Sequence, residues 1–253
     1  MKFARFLHHE KSFYGIVDQE IYPITGDIFG EFQISPKGFK LEEVKLLPPC
    51  LPSKIILVGL NYSDHVKESQ SSNVVPEEPV LFMKPSTSVI GPDEAIFYPQ
   101  RVERLDFEAE LAVVIKDRCK NLTPASVSDH LLGFTCLNDV TARNLQKKDV
   151  QWTRAKSFDT FCPLGPFIVD KIDLSNSKIQ SYLNGKLCQS SNTNRMIFSV
   201  EQIVSFVSRV MTLLPGDVIS TGTPSGVGPM QPGDTIEIFI ENIGTLRNHV
   251  MKV

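Results

Sequence analysis

The sequence predicts a mostly β protein with some α-helix, an α+β fold. Most of the chain after residue 54 consists of short β-type segments that are separated by turn residues. One stretch, 200–214, keeps apolar residues at helical spacing. Strands and helices do not alternate along the chain, as they would in a wound parallel sheet. These three observations favour an antiparallel or mixed β architecture with few helices.

The chain is predicted to divide into a small N-terminal β domain, residues 1–47, and a larger catalytic domain, residues 48–253. Two N-terminal segments, Phe13–Val17 and Ile21–Ile24, have strand composition and are joined by a turn. The run Leu46–Pro52 then places three prolines within five residues. Such a run is a stiff, extended connector, so we expect the domain boundary there.

Short strands are predicted to form most of the larger domain. Asn184-Gly185 lies between two of them, Gln180–Leu183 and Lys186–Gln189, and this dipeptide is typical of a type I′ hairpin turn. The other predicted strands are Lys54–Val58, Val80–Met83, Phe107–Ile115, Gly133–Leu137, Phe167–Val169 and Ile236–Ile240.

Three helices are predicted. The longest spans 200–214, where Ser199 and Gln202 have the spacing of a capping box and a Pro-Gly pair ends the apolar stripe. A second helix is expected after Asp139. A short third helix begins at Thr123-Pro124, because proline suits the first helical position.

Composition excludes several classes of function. The 253 residues include 26 Lys plus Arg and 29 Asp plus Glu, a formal charge of −3, so we expect neither nucleic-acid nor membrane binding. No GxGxxG or GxxxxGK[ST] loop indicates a nucleotide site. The N-terminal stretch lacks the apolar core of a signal peptide, which favours a cytoplasmic protein. The five cysteines contain no CxxC pair, which argues against a thiolate zinc site and for buried, reduced side chains.

A pair of carboxylates opens the most apolar predicted strand. Glu108 and Glu110 are two residues apart, so their side chains would share one face and repel each other. Asp139 adds a third carboxylate at the end of another apolar strand. A divalent cation compensates such a cluster most simply, and oxygen ligands favour Mg²⁺ or Mn²⁺, with Ca²⁺ also admitted. The alternative is a solvated strand edge with basic partners.

Basic and amide side chains follow the third carboxylate. Arg143 and Gln146 lie four and seven residues after Asp139, so on a helix all three would share a face. Lys156 follows in a turn region, and near a metal and an arginine its pKa would be lowered, so that it could position or deprotonate water. The alternatives are an ordinary helix salt bridge for Arg143 and a surface position for Lys156.

A histidine and a glutamate follow the strand that ends near residue 59. His65 and Glu68 are three residues apart, so one helical turn would bring them together, and a histidine oriented by a glutamate can serve as a general base. The alternative is a surface pair on a short turn. The remaining histidines lack such neighbours and are predicted to be structural or exposed: His8, His9, His130 and His249.

In combination and in this order, these motifs resemble the compact bacterial and mitochondrial members of the fumarylacetoacetate hydrolase family. The resemblance implies a β-roll catalytic domain after a small N-terminal domain, in a homodimer. The stretches that carry it are Leu46-Leu-Pro-Pro, Val58-Gly-Leu-Asn-Tyr with His65 and Glu68, Asp106-Phe-Glu-Ala-Glu-Leu, Asn138-Asp-Val-Thr-Ala-Arg, Lys156-Ser-Phe-Asp and Thr221-Gly-Thr-Pro-Ser-Gly-Val-Gly.

The resemblance also implies roles for individual residues. The implied ligands of Mg²⁺ or Mn²⁺ are Glu108, Glu110 and Asp139. The implied substrate-binding residues are Asn61, Tyr62, Arg143, Gln146 and Thr223. The implied catalytic residues are Lys156 and, on a mobile lid, His65 and Glu68. Animal fumarylacetoacetases have a further aspartate ligand near the position of Asn61, so a true fumarylacetoacetase is not expected.

The expected substrate is a small anionic 2-oxo acid or diacid, which would react through a metal-chelated enolate. Hydrolysis of a C–C bond, as in acylpyruvates, or decarboxylation, as of oxaloacetate, ranks first because His65 and Glu68 would supply a base. The alternatives are isomerisation of a 2-hydroxy-diene-dioate or tautomerisation of oxaloacetate, in aromatic catabolism, and a non-enzymatic binding protein on the same fold. A cysteine nucleophile is disfavoured because no cysteine lies in a histidine motif.

Overall fold

The computed structural model describes residues 1–64 and 75–253, and it confirms the predicted mostly β class. Three helices in these ranges are α-helical: α1 Arg143–Lys148, α2 Thr153–Lys156 and α3 Val200–Val210. The strands are β1 Lys2–His8, β2 Lys11–Val17, β3 Ile21–Gly26, β4 Phe32–Ile34, β5 Lys45–Leu47, β6 Ile55–Gly59, β7 Val80–Lys84, β8 Val89–Ile90, β9 Ala95–Tyr98, β10 Leu105–Phe107, β11 Ala109–Ile115, β12 Leu131–Asn138, β13 Thr141–Ala142, β14 Cys162–Val169, β15 Lys178–Leu183, β16 Lys186–Asn192, β17 Val218–Ser220, β18 Gly228–Met230, β19 Thr235–Ile240 and β20 Gly244–Lys252.

The described strands form three sheets. The largest has the order β4-β3-β2-β1-β14-β12-β11-β17-β6-β7, with β5 beside β1 and β8 beside β14. A second has the order β16-β15-β19-β20-β9, and a third, of three short strands, has the order β13-β10-β18. Because β1 pairs with β14, the N-terminal strands extend the largest sheet. The division into two domains at residues 47 and 48 stays a prediction.

The β11–β12 hairpin lies in the middle of the largest sheet and is buried on both faces. Along β11, Leu111 and Val113 pack into one hydrophobic cluster, whereas Ala112 and Val114 pack into another. Full burial of each Leu or Val side chain stabilises the fold by roughly 1.5–3 kcal/mol, so a shift of register would be costly. The hairpin therefore fixes the positions of the carboxylates at its end.

Most predicted strands differ from the observed ones at their ends, as β14 does by beginning at Cys162 instead of Phe167, and two predicted elements are interrupted or end early. The predicted strand Phe107–Ile115 is interrupted at Glu108, where the chain passes from the three-stranded sheet to the largest one. The predicted helix 200–214 has its capping box but ends at Val210. The apolar residues after Val210 are no longer helical. Leu213, for example, pairs with Cys119 as an isolated β-bridge.

The smaller sequence predictions are mostly confirmed. The Asn184-Gly185 hairpin joins β15 to β16, and both turn residues have positive φ. Pro124–His130 is a 3₁₀ helix; the other described 3₁₀ helices are Leu41–Glu43, Ser86–Ser88 and Thr193–Arg195. All five cysteines are free and four are buried, but Cys188 is half-exposed, so the prediction of burial was wrong there. In the described part of the chain, no helix combines the length and the apolarity that crossing a membrane requires.

Candidate active site and metal centre

The structure brings the three predicted carboxylates together. Their ligand oxygens lie within 4.8 Å of one another, and Glu108, Glu110 and Asp139 are 5%, 1% and 0% exposed. The interruption between β10 and β11 is held by Asn138, whose side-chain oxygen accepts a hydrogen bond from the Glu108 backbone at 3.0 Å. The Asp139 backbone N–H donates to the Glu108 carbonyl at 2.9 Å. This burial excludes the alternative of a solvated strand edge.

Lys156 lies inside this carboxylate cluster. Its ammonium nitrogen is 3.1 Å from Glu108 Oε2, and it also donates a hydrogen bond to Asp139 Oδ2. Burial lowers the pKa of Lys156, but the neighbouring Asp139 and Glu108 carboxylates raise it by more, so the net pKa lies above its ordinary value. The predicted lowering applied to a lysine beside a metal ion, and it stays a prediction.

The same carboxylates disfavour ionisation of Glu110. Burial raises the pKa of Glu110 well above its ordinary value, and the Asp139 and Glu108 carboxylates raise it further. Two groups partly counter this by donating to Glu110 Oε2: the Ser220 hydroxyl and, at 3.1 Å, the Gly222 backbone N–H. Positive charge nearby favours the ionised form of Glu110, and Lys156 already contributes some.

Arg143 is held at the edge of the cluster. Its guanidinium donates to Glu108 Oε1 at 2.6 Å, to Asp106 Oδ2 at 2.9 Å and to Gln146 Oε1 at 2.6 Å. The predicted helical face shared with Asp139 was wrong, since α1 begins only at Arg143 and the two preceding residues form β13. Arg143 and Gln146 do share a helical face, as predicted.

Lys84, at the end of β7, is a buried cation that the sequence analysis missed. Its ammonium nitrogen is 2.8 Å from Asp139 Oδ1 and donates to the carbonyls of Val140, Lys156 and Phe161 at 3.0, 2.6 and 2.7 Å. The three ammonium protons thus go to backbone carbonyls, and Asp139 Oδ1 keeps its lone pairs. The available signal was a lysine that directly extends an apolar strand.

Gln189, which is fully buried on β16, was also missed. Its side-chain oxygen accepts from the Ala109 backbone N–H at 3.0 Å, between the two glutamates. Its side-chain nitrogen donates at 2.8 Å to both the Thr223 hydroxyl and the Pro224 carbonyl. The Thr223 hydroxyl in turn donates to the Ala109 carbonyl at 2.8 Å. Because that proton is used, the backbone N–H of Thr223 is its remaining donor for a substrate anion.

Asn61 and Tyr62 lie beside the centre at the end of the β6 loop. The Asn61 amide donates to the carbonyls of Phe198 and Thr221 at 3.1 and 2.7 Å, and its oxygen accepts from the Phe198 backbone at 2.7 Å. The side chain therefore binds neighbouring loops, and its substrate contact stays a prediction. Tyr62 is fully buried, and its hydroxyl has no hydrogen-bond partner among the described residues. Burial, reinforced by Glu110, raises its pKa.

The donor set fits a hard divalent cation. Three carboxylates converge in the interior, added positive charge would favour the ionised form of Glu110, and the Tyr62 hydroxyl, unpartnered among the described residues, lies nearby. Oxygen donors of this kind match Mg²⁺, Mn²⁺ or Ca²⁺. The residues that could hold the ion are Glu108, Glu110 and Asp139. The predicted base, His65 with Glu68, lies outside the described residues.

A cleft of about 700 Å³ adjoins the centre. Phe82 and Trp152 line it and form an edge-to-face pair with ring centroids 5.3 Å apart. The Lys156 ammonium nitrogen lies 5.0 Å from the centroid of the Phe82 ring, which connects the cleft to the carboxylates. Phe82 thus lies between the cleft and the Lys156 ammonium, and none of the three carboxylates lines the cleft.

Comparison with known proteins identifies the family. A model of the fumarylacetoacetate hydrolase C-terminal region matches residues 54–251, most of the chain. The chain belongs to the fumarylacetoacetate hydrolase family. A model of an Rv2993c-like N-terminal region matches residues 1–49. The family resemblance given by the sequence motifs is therefore confirmed.

Three relatives show how the chain compares within the fumarylacetoacetate hydrolase family. An uncharacterized protein of Archaeoglobus fulgidus is 55% identical over 94% of this chain and 95% of its own length. The mitochondrial oxaloacetate tautomerase Fahd2a of Rattus norvegicus is 42% identical over 81% of this chain and 69% of its own length. The crystal structure of 5-carboxymethyl-2-hydroxymuconate delta-isomerase from Mycobacterium smegmatis covers both chains fully, with 41% identity and a TM-score of 0.94.

Proposed function

We propose that this protein is a divalent-metal-dependent enzyme that interconverts the keto and enol forms of a small 2-oxo diacid such as oxaloacetate. The observation that carries the proposal is the placement of Lys156, a buried ammonium between two carboxylates of the centre and beside the cleft. Interconversion requires a group that gives a proton to C3 and takes it back. A divalent cation in the centre would polarise the keto oxygen and so increase the acidity of the C3 protons.

Lys156 is the proton carrier in this proposal. Without a metal ion, the Asp139 and Glu108 carboxylates raise the pKa of Lys156, which favours its protonated form. In the direction from enol to keto, Lys156 Nζ donates that proton to C3, the enol hydroxyl proton is lost to solvent, and Nζ regains a proton from solvent. In the reverse direction, Nζ first releases a proton to solvent and then accepts the C3 proton, while the enolate oxygen takes a proton from solvent. Positioned acid–base groups of this kind contribute about 10²–10⁴-fold to rates.

Arg143 and Thr223 are proposed to bind the substrate carboxylates. Arginine has five N–H donors, and Arg143 uses three of them for Asp106, Glu108 and Gln146. As far as the described residues show, one N–H on each terminal nitrogen is left for a carboxylate. The Thr223 backbone N–H supplies a further donor. The paired aromatic rings of Phe82 and Trp152 would line the path of the rest of the substrate.

Relatives with named activities support this choice of reaction. One relative is named as an oxaloacetate tautomerase and one as a delta-isomerase, and both activities move a proton on an unsaturated oxo acid. The ranking of candidate reactions therefore differs from the one inferred from the sequence. There, hydrolysis or decarboxylation ranked first because of His65 and Glu68. Hydrolysis needs an additional base and a positioned water, whereas proton transfer needs only a carrier. The homodimer stays a prediction from the family resemblance.

A metal-stripped and metal-restored assay tests the proposal. The substrates are enol-oxaloacetate, acetylpyruvate and a 2-hydroxy-diene-dioate, and the readouts are enol absorbance, CO₂ release and product identity. We expect loss of the enol with Mg²⁺ or Mn²⁺ and without CO₂ or cleavage. Release of CO₂ as the main product would instead indicate a decarboxylase, and cleavage a hydrolase. Turnover that persists without metal would contradict the proposed centre.

A further inference from the structure

A second cluster of ligand-type side chains lies at the other end of the β11–β12 hairpin. Asp117 and Cys119 follow β11, and His130 immediately precedes β12. One carboxylate oxygen, the thiol sulfur and one ring nitrogen lie within 4.8 Å of one another. The seven residues of β11, at roughly 3.3 Å each, separate this cluster from Glu110 by roughly 20 Å. The two clusters are therefore distinct sites.

We propose that Asp117, Cys119 and His130 form a second metal site, which takes Zn²⁺ or a chemically similar divalent ion. Thiolate, imidazole and carboxylate are the three ligand types that zinc uses in proteins. A sulfur ligand selects against Mg²⁺ and Ca²⁺, the ions that suit the three-carboxylate centre. The two ends of one hairpin would thus hold ions of different chemical character.

The backbone already holds two of the three ligands in place. The backbone of Cys119 exchanges two hydrogen bonds with that of Leu213, at 3.1 and 2.9 Å. The backbone carbonyl of His130 accepts from the Lys116 N–H at 2.8 Å. A site whose ligands lie on paired backbone loses less conformational entropy when it binds an ion.

The side chains also leave access for an ion. The Asp117 and His130 side chains are 46% and 29% exposed, whereas Cys119 is buried. The cluster therefore opens to solvent on the carboxylate and imidazole side, from which an ion and a fourth, water ligand can enter. His130 Nδ1 lies 2.6 Å from Asp117 Oδ1, so these two ligand atoms are already adjacent, and an ion would replace the hydrogen bond between them.

The local charge favours a cation over a bare thiolate. The Asp117 and Asp217 carboxylates act on Cys119 with negative charge, and Lys54 opposes them. Asp217 is itself paired with Lys54. The negative charge of Asp117 would attract a dication, and the thiol proton would leave to solvent as the metal–sulfur bond forms. Such a bond would tie the connection 117–130 to the sheet and stabilise it.

The competing explanation is an ion pair between Asp117 and His130 beside an unconnected thiol. Titration of the full chain with Co²⁺ alone distinguishes the two, because a cobalt–thiolate bond gives a charge-transfer absorption band. The titration is made in a Glu110→Gln background as well as in the wild type, so that binding at the carboxylate centre is separated. We expect the band to saturate with one equivalent of Co²⁺ in Glu110→Gln and with up to two in the wild type, and Zn²⁺ to displace it in both.

Three variants make the test specific. Cys119→Ser should abolish the band, and His130→Gln should weaken Co²⁺ binding by about 100-fold, as loss of one ligand in three. Cys188→Ser is the matched control, since Cys188 is a half-exposed free cysteine outside the cluster, and it should keep the band. Mg²⁺-dependent turnover should be unchanged in Cys119→Ser and His130→Gln, which shows that both variants are folded.

Two results would overturn the proposed zinc site. One is the absence of a charge-transfer band in the wild type under saturating Co²⁺. The other is a band that survives Cys119→Ser, which would assign the thiolate to another cysteine. Neither result depends on the substrate, so failure of the zinc site and failure of the proposed enzymatic function remain distinguishable.

Discussion

Two opposite influences act on the pKa of the Lys156 ammonium group. Burial favours the neutral amine, whereas contacts with Glu108 and Asp139 favour the charged form and prevail. A lysine in this position can repel a metal ion and still be needed for catalysis. The proton-carrier role therefore predicts different effects of its removal on metal affinity and on turnover.

Lys156→Gln should lower kcat by about 10²–10⁴-fold, because the proton carrier is lost. Mg²⁺ affinity should be kept or increased, since one positive charge leaves the cluster. Steady-state kinetics and isothermal titration with Mg²⁺ measure the two effects. Lys148→Gln, an exposed lysine at the end of α1, is the control and should change neither quantity. A parallel loss of metal binding and activity would assign Lys156 a structural role instead.

Gln189 acts through other residues. It binds the backbone N–H of Ala109, the residue between the two glutamates, and it also binds the hydroxyl of Thr223. Gln189→Leu leaves these groups unpaired in the interior, and each unsatisfied group lowers the free energy of unfolding by about 1–3 kcal/mol. We expect a lower free energy of unfolding and a KM raised about tenfold, by about 1.4 kcal/mol of lost binding, with a smaller effect on kcat. Gln180→Leu on the adjacent strand is the control. An unchanged KM at lowered stability would show that Gln189 supports the fold alone.

Glu110 should make binding of a divalent ion sensitive to pH. Its pKa is raised by burial and by two neighbouring carboxylates, so protons compete with the metal at mildly acidic pH. Affinity for Mg²⁺ should therefore fall as the pH is lowered through the raised pKa of Glu110, and should be restored as the pH rises. Titration calorimetry between pH 5 and 8 measures this, with Glu110→Gln expected to bind weakly throughout. A wild-type affinity that is constant over this range would contradict the assignment.

At the scale of elements, the turn that follows β17 holds Glu110 through the backbone of Gly222. Gly222 has φ of +88°, and an added Cβ would lie 2.9 Å from Asn61 Cβ and 3.0 Å from the Val58 carbonyl. The chain therefore needs glycine here for both its conformation and its space. Displacement of this turn would remove a donor from the carboxylate centre.

Gly222→Ala should destabilise the fold by more than Gly185→Ala. Gly185 also has positive φ, +76°, but a Cβ there meets no atom within 4 Å. Strain alone costs roughly 1–2 kcal/mol at each position, and the steric clash adds to it only at Gly222. Chemical denaturation of both variants gives the difference, and Mg²⁺ affinity should fall only in Gly222→Ala. Equal destabilisation would show that the turn tolerates a side chain.

Element types were predictable from the sequence because strand composition and caps are local signals. The Asn184-Gly185 hairpin and the Ser199 cap are examples. Bounds that depend on distant pairing were not predictable. The strand was split at Glu108 because Asn138 binds its backbone, and α3 stops early because Leu213 pairs with Cys119.

The same limit applies to the candidate site. Glu108, Glu110 and Asp139 could be found because their spacing and motif context are visible in one dimension. Lys84 and Gln189 could not be found in this way, because each lies on a strand whose sequence contains no motif that indicates a site. The absence of a CxxC pair argued against a thiolate zinc site, because Asp117, Cys119 and His130 do not form a recognised spacing pattern.

At the scale of the whole molecule, the sheets place three carboxylates, two lysines and an arginine in one buried volume beside a cleft. Burying so many charges is costly unless they are paired, and the pairs described here balance much of the negative charge. A core made only of apolar residues would not need these charge pairs. The central claim is that this arrangement, with a divalent cation, exchanges a proton at C3 of a 2-oxo acid.

Exchange of C3 protons with deuterium tests this claim most directly. Oxaloacetate is incubated in D₂O with Mg²⁺ and the protein, and the C3 proton signal is followed by NMR against a protein-free control with Mg²⁺. The account predicts exchange above the control for the wild type with Mg²⁺, and none above it for metal-stripped protein, Glu110→Gln or Lys156→Gln. Enzyme-catalysed exchange that is indifferent to the metal and to both residues would contradict it.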